Sequence, residues 1–74
     1  MQDIDFQLER DHVELNQLLK LCGIVDSGGA GKALVSSGAV RVDGEVELRR
    51  TCKIHAGQVV EVEGARIVVA GDGA

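Results

Sequence analysis

The sequence predicts an α+β fold in which a helical hairpin lies on a small, mostly antiparallel sheet. Three observations carry this. Leu15, Leu18, Leu19 and Cys22 repeat at helical spacing. After Gly38 the apolar period changes to two, with Val40 and Val42 flanking Arg41. Between them lies a glycine-rich segment, Gly28 to Gly31, closed by Gly38, which reads as a second helix in a short hairpin with the first.

The elements follow in order. Ile4, Phe6 and Leu8 alternate with Asp5 and Gln7, a half-buried strand. Asp11 stands as an N-cap with Glu14 in the capping-box position, so the first helix is expected from Asp11 to Cys22. Lys20 suits its last turn and Gly23 its C′ position. Ser27 is the expected N-cap of the second helix, whose apolar face is Ala30, Ala33 and Leu34. Interior glycines each cost a helix about 1 kcal/mol relative to alanine. Gly28, Gly29 and Gly31 therefore imply either very close packing on the neighbouring helix or a helix start that another backbone must approach.

Val40 to Leu48 then reads as a β-hairpin turning at Asp43-Gly44. A two-residue turn would set Val42 opposite Glu45 and Val40 opposite Glu47, whereas a register one residue longer sets valine opposite valine. A bulged three-residue turn is accordingly expected. Arg49 to Lys53 reads as a basic connection and His55 to Gln58 as a turn. Val60 and Val62 mark a further strand, Gly64 a turn, Ile67 to Ala70 the last strand, and Gly71 to Ala74 a frayed tail.

The 74 residues allow one domain, expected to span residues 1–74. A domain of this size buries only about 60% of its unfolded surface. With 45% hydrophobic residues the composition is that of a folded chain, but Phe6 is the lone aromatic, so the core is aliphatic. Base-stacking RNA readers of the recognition-motif and oligonucleotide-binding classes are excluded on that ground. The longest uninterrupted aliphatic run, Ile67 to Ala70, is too short for a bilayer, and Met1 to Asp5 is acidic where a secretory signal is basic. A soluble, cytoplasmic, monomeric protein with Cys22 and Cys52 reduced is expected.

Net charge is −4, but unevenly spread. Residues 1–26 set six acids against Arg10 and Lys20. Residues 27–60 set Lys32, Arg41, Arg49, Arg50 and Lys53 against Asp43, Glu45 and Glu47. Local potential matters more to a partner than the total.

The constellations that could carry chemistry are few. Gly28-Gly29-Ala30-Gly31-Lys32 is not a P-loop: the position five before Gly31 is Asp26, and Ala33 follows the lysine. What remains is a serine-glycine helix start able to hold a phosphate, or an ordinary cap beside an exposed lysine. His12, Cys22, Cys52 and His55 are possible zinc ligands, but structural sites use two close pairs, and His12 and Cys22 are too far apart for one. No metal and no cofactor is expected. Neither histidine belongs to an acid–nucleophile pattern, so no enzyme is expected. The five cations from Lys32 to Lys53 converge on one face if the hairpin folds beside the second helix. A face of arginine forks and lysine point charges without aromatics reads phosphate backbone and shape.

Leu18-Leu19-Lys20-Leu21-Cys22-Gly23, Ser27-Gly28-Gly29, Lys32, the run Gly38 to Val46, Arg49-Arg50, Lys53-Ile54 and Gly57 to Val60 together resemble the S4 RNA-binding domain. The resemblance covers about Asp11 to Glu63. Its most specific stretch is Gly38 to Glu45, a G-x-V-x-V-[ND]-G-E signature. Short length and the Arg-Arg-x-Cys-Lys-Ile segment are most similar to the small stand-alone bacterial members, the YbcJ-like RNA-binding proteins. The resemblance implies an αL-type fold gripping structured RNA, ribosomal or transfer RNA, with the ribosome as a further expected partner and with no catalysis. By position it makes Ser27, Gly28, Lys32, Arg41, Arg49, Arg50 and Lys53 candidate contacts. A protein-interaction module on the same fold is the rival reading, and a small Cys/His metal-binding protein the next.

Overall fold

A computed structural model describes residues 2–71 of the chain. The elements run β1 (Gln2–Leu8), β2 (Val13–Glu14), α1 (Leu15–Leu21), α2 (Gly28–Ser36), β3 (Val40–Val42), β4 (Glu45–Val46), β5 (Lys53–Ile54), β6 (Val59–Val62) and β7 (Ala65–Gly71). The main sheet has the order β1-β7-β6-β3-β4, and β2 and β5 form a separate two-stranded ladder. Among the described residues only β1 and β7 run parallel, and the other pairs are antiparallel. The α+β architecture with a mostly antiparallel sheet is therefore as the sequence predicts.

One face of the sheet meets the two helices in an aliphatic core. Leu15, Leu18 and Leu19 of α1, Val35 of α2, Val40, Ile54, Val60 and Ile67 are wholly buried, and Phe6 packs at its margin. The leucine stripe thus does what its spacing requires.

The start of α1 differs from the expected one. Residues 11–14 are not helical: Val13 pairs with Ile54 and Glu14 with Lys53 in an extended ladder. Asp11 is not the N-cap; Glu14 occupies that position and makes no side-chain cap. The first helical amides are satisfied from elsewhere, Leu15 by the carbonyl of Cys52 at 2.9 Å and Asn16 by the carbonyl of Arg50 at 3.1 Å. A tertiary cap has displaced the local one. At α2 the local signal holds, since Ser27 Oγ accepts the Ala30 amide at 3.1 Å.

The glycines of α2 divide. A Cβ on Gly31 would stand 2.9 Å from the Asn16 carbonyl oxygen, so the two helices meet there backbone to backbone. Gly28 has open space at the same test.

The hairpin register corrects the expected bulge. Val42 pairs with Glu45 and Arg41 with Val46, a two-residue turn with φ of 52° at Asp43 and 87° at Gly44. Both positive angles fit a primed turn, whose twist suits the flanking strands. The valines find valine partners on the other neighbour: Val40 faces Val62 and Val42 faces Val60 of β6. Strand β4 ends at Val46, the Glu47 amide still donates to the Val40 carbonyl at 3.0 Å, and Leu48, read from sequence as the end of that strand, is 60% exposed outside it. Gly44→Val should lower stability by about 1–2 kcal/mol in urea unfolding, through left-handed backbone strain alone. No atom lies within 4 Å of the added Cβ, so the Cβ itself meets no clash.

The last strand is longer than its aliphatic run suggests, starting at Ala65 and reaching Gly71, which pairs with Leu8. Gly71 is thus a strand residue rather than tail. The rest of the expected tail, residues 72–74, lies outside the described residues.

Candidate nucleic-acid interface

The basic connection is built as a rigid turn. The amide of Cys52 donates to the Arg49 carbonyl at 3.1 Å, closing residues 49–52. The carbonyls of Arg50 and Cys52 then cap α1, and Lys53 enters the β5 ladder. Every backbone anchor of this segment therefore points inward, and the side chains of Arg49, Arg50, Thr51 and Lys53 are left exposed. The cations sit on a pinned scaffold, which reduces the ordering entropy that a partner must overcome.

Asn16 joins this turn to α2. Its amide binds the Arg50 carbonyl, and its own carbonyl abuts Gly31. Lys32 follows Gly31 and is exposed, while Gly31 in turn donates its amide to the Ser27 carbonyl at 3.0 Å. Ser27, Gly28 and Lys32 at the start of α2 are thus linked through one buried asparagine to Arg50 and its neighbours. The small residue at position 31 is what lets the two regions approach.

Arg41 stands apart. Val40 and Val42 turn toward the core side, so Arg41 projects from the opposite face of β3. There it lies in a row with Val46, Glu61 and Arg66 across adjacent strands. Arg66 is held by Asp3 at 3.4 Å. The candidate set is therefore divided, with Ser27, Gly28, Lys32, Arg49, Arg50 and Lys53 on the helix-and-turn side and Arg41 on the outer sheet face.

One further residue belongs to the site. Glu47 receives the Arg49 amide and Nε at Oε2, both at 3.0 Å, and Nη2 at Oε1 at 3.2 Å. These bonds, the side-chain pair first, hold the Glu47 carboxyl at a pKa of about 2, below its ordinary 4.5. The pairing therefore contributes fully above pH 4.5 and is lost as pH falls toward 2. A carbon-13 NMR titration should place the Glu47 midpoint near 2, and Arg49→Gln should return it toward 4.5. A Glu47 midpoint unmoved by Arg49→Gln would sink the pairing.

Both thiols are held toward the protonated form. Burial pushes both Cys22 and Cys52 up, and the Glu47 carboxylate adds to the rise at Cys52. His12 and His55 do approach, with ring centroids 5.9 Å apart and His55 Nδ1 3.2 Å from the Asp11 carbonyl. Among the described residues no three His, Cys, Asp or Glu side chains gather to hold an ion. Thermal melting should accordingly be unchanged by a strong chelator; a large fall in the midpoint would require a metal.

A concavity of about 670 Å³ lies away from the candidate residues, between the end of β1 and α1, lined by Phe6, Leu8, Val13 and Leu21 among others. The candidate turn itself borders a shallow, open groove shared with the β3–β4 hairpin. No helix of the described residues is long and apolar enough to cross a membrane.

The fold and this site define a small surface-contact domain, a helical hairpin on a mixed sheet that presents a cationic turn. The family model described as S4 domain matches residues 6–70, and the chain belongs to that family. It is 50% identical over 58 residues to YbcJ of Escherichia coli (strain K12), covering 78% of this chain and 83% of that one. It is 39% identical over 57 residues to a protein of Bacillus subtilis (strain 168) named "Probable ribosome maturation protein RlbA", covering 77% and 80%. The solution structure of Escherichia coli YbcJ, described as revealing an αL motif involved in RNA binding, superimposes with a TM-score of 0.70. The match is 46% identical over 89% of this chain and 85% of that one.

Proposed function

We propose that this chain is a non-catalytic RNA-binding protein that grips structured RNA, ribosomal or transfer RNA, in the cytoplasm. On this reading residues 1–74 act as one monomeric domain with its contact core in about 11–63. The observation that carries it is the turn at 49–53, where Arg49, Arg50 and Lys53 are exposed on backbone pinned to the first amides of α1. Lys32 and the Ser27-Gly28 helix start extend the same region. The αL motif involved in RNA binding of YbcJ and the ribosome-maturation name of RlbA support an RNA partner, and the latter a ribosomal one.

The site contains no aromatic platform, since Phe6 lies at the core margin, so the contacts are to phosphate and shape. Fluorescence anisotropy with a transfer RNA or ribosomal RNA fragment at two salt concentrations tests this. Log affinity should fall with log salt by about 0.7–0.9 for each phosphate contact. The net charge of −4 favours a second reading, a protein-interaction module on the same fold. Failure to bind structured RNA at low salt would give that reading the lead.

A further inference from the structure

We propose that the free edge of β1 is a docking strand for a basic, extended peptide segment of a partner protein. The segment adds beside β1 as a further strand of the main sheet and seats its apolar side chains in the groove between β1 and α1. This goes beyond the reading of the basic turn and does not depend on it.

In the sheet order β1-β7-β6-β3-β4, β1 and β4 stand at the two edges. The β4 edge offers 2 residues and the β1 edge 7. The Gln2 amide donates to the Gly64 carbonyl at 2.8 Å, and the β1–β7 register is unbroken from there to Leu8. Alternation along a parallel ladder therefore turns the backbone groups of Ile4, Phe6 and Leu8 toward β7, and those of Asp3, Asp5 and Gln7 outward. Among the described residues no strand takes that outer row. A strand edge in this state is a template for another chain.

The groove of about 670 Å³ lies beside the same edge. Phe6 and Leu8 of β1 and Leu21 of α1 line it, and Leu21 is 61% exposed. A strand laid along β1 would send every second side chain to the face of Phe6 and Leu8, where the groove lies. Its other side chains would stand beside Asp3, Asp5 and Gln7, which are exposed on the opposite face.

Charge decides the occupant. Asp5 makes no ion pair among the described residues, and Asp3 meets Arg66 at 3.4 Å. Glu9 and Glu14 line the groove against Arg10. A second copy pairing antiparallel, edge to edge, would set these aspartates against one another. RNA would bring phosphate to the same acids. A segment that alternates lysine or arginine with aliphatic residues suits both faces, its cations beside Asp3 and Asp5 and its aliphatic groups in the groove.

The probe is a blocked peptide of alternating lysine and valine, as long as β1, titrated into the whole chain and followed by nitrogen-15 NMR. Shifts should concentrate on β1 and the end of α1, and hydrogen exchange should slow at the amides of Asp3, Asp5 and Gln7. N-methylation of one alternate set of peptide amides, the lysines or the valines, should abolish binding. Methylation of the other set should spare it, because only one set faces β1. Asp5→Asn should weaken binding by up to about fivefold, the effect of one exposed ion pair. Glu45→Gln, the same loss of charge at the opposite edge, should not.

A glutamate–valine peptide that binds as tightly, or methylated peptides that both bind like the parent, would overturn the proposal. Shifts without slowed exchange at the three amides would overturn it too. Protection of those amides by a transfer RNA, or a dimer formed through β1 without peptide in sedimentation, would assign the edge to another occupant and sink it as well.

Discussion

Gly31→Val should destabilise the domain by at least about 2 kcal/mol, lowering its melting temperature by about 8–16 °C. The added Cβ alone would stand 2.9 Å from the Asn16 carbonyl oxygen and 3.4 Å from its Cα. Both are backbone atoms and cannot swing aside. The helices must separate, and the leucines of α1 lose contact with Val35 across the same core. Gly31→Ala gives the smaller version, because overpacking of about 1–3 kcal/mol is partly offset by the roughly 1 kcal/mol that alanine contributes to a helix. Gly29→Ala is the control; its nearest contact is Ser27 Oγ at 3.9 Å, so it should be neutral or stabilising. The perturbation also reaches the basic turn, because Asn16 donates to the Arg50 carbonyl. Gly31→Ala should therefore weaken RNA binding more than its residual stability accounts for. Equal melting temperatures for the Gly29 and Gly31 alanine variants would refute the close approach.

What the sequence could reveal depended on how far away each residue's partner lies. The α1 stripe and the Ser27 cap are set within a few residues, and both were legible. The first turn of α1 was not. Asp11 and Glu14 carry a local capping pattern, yet the amides of Leu15 and Asn16 are met by carbonyls from the turn at 50–52. No nearby residue records that. The hairpin shows the same limit: judged as two strands, Val42 opposite Glu45 is a poor match, but β3 has a second neighbour that supplies valines. The parallel pairing of β1 with β7 joins the two ends of the described chain, which periodicity does not register. Of the two explanations open for the glycine-rich helix, close packing on α1 is the one realised at Gly31. At the site, the residue types were legible and their grouping less so. The outward position of Arg41 follows from the alternation of Val40 and Val42 alone. Glu47 and Arg49 are two apart, a spacing that puts side chains on one side of an extended segment, and this was the available sign of their pairing.

Replacing Arg49, Arg50 and Lys53 together by glutamine should weaken binding to structured RNA. It should also flatten the salt dependence of log affinity by about two units if all three meet phosphate. The turn should keep its shape, because its anchors are backbone bonds: Cys52 amide to Arg49 carbonyl, and the Arg50 and Cys52 carbonyls to α1. Stability should change little, as exposed charges contribute at most about 1 kcal/mol each. Arg66→Gln serves as the control. Arg66 lies on the outer face of β7, paired with Asp3 and away from the turn, so its loss should leave both affinity and slope unchanged. Arg41→Gln is the sharper comparison, since it removes a charge of equal sign from the face opposite the core. If RNA meets only the helix-and-turn side, Arg41→Gln should behave like Arg66→Gln; if RNA wraps the sheet edge, it should lower the slope by nearly one unit. Sequence preference should be unaffected in every variant, because phosphate contacts position a protein without specifying bases. A triple variant that binds with the affinity and slope of wild type would remove the turn at 49–53 from the interface and leave Lys32 and the start of α2 as the contact to test next.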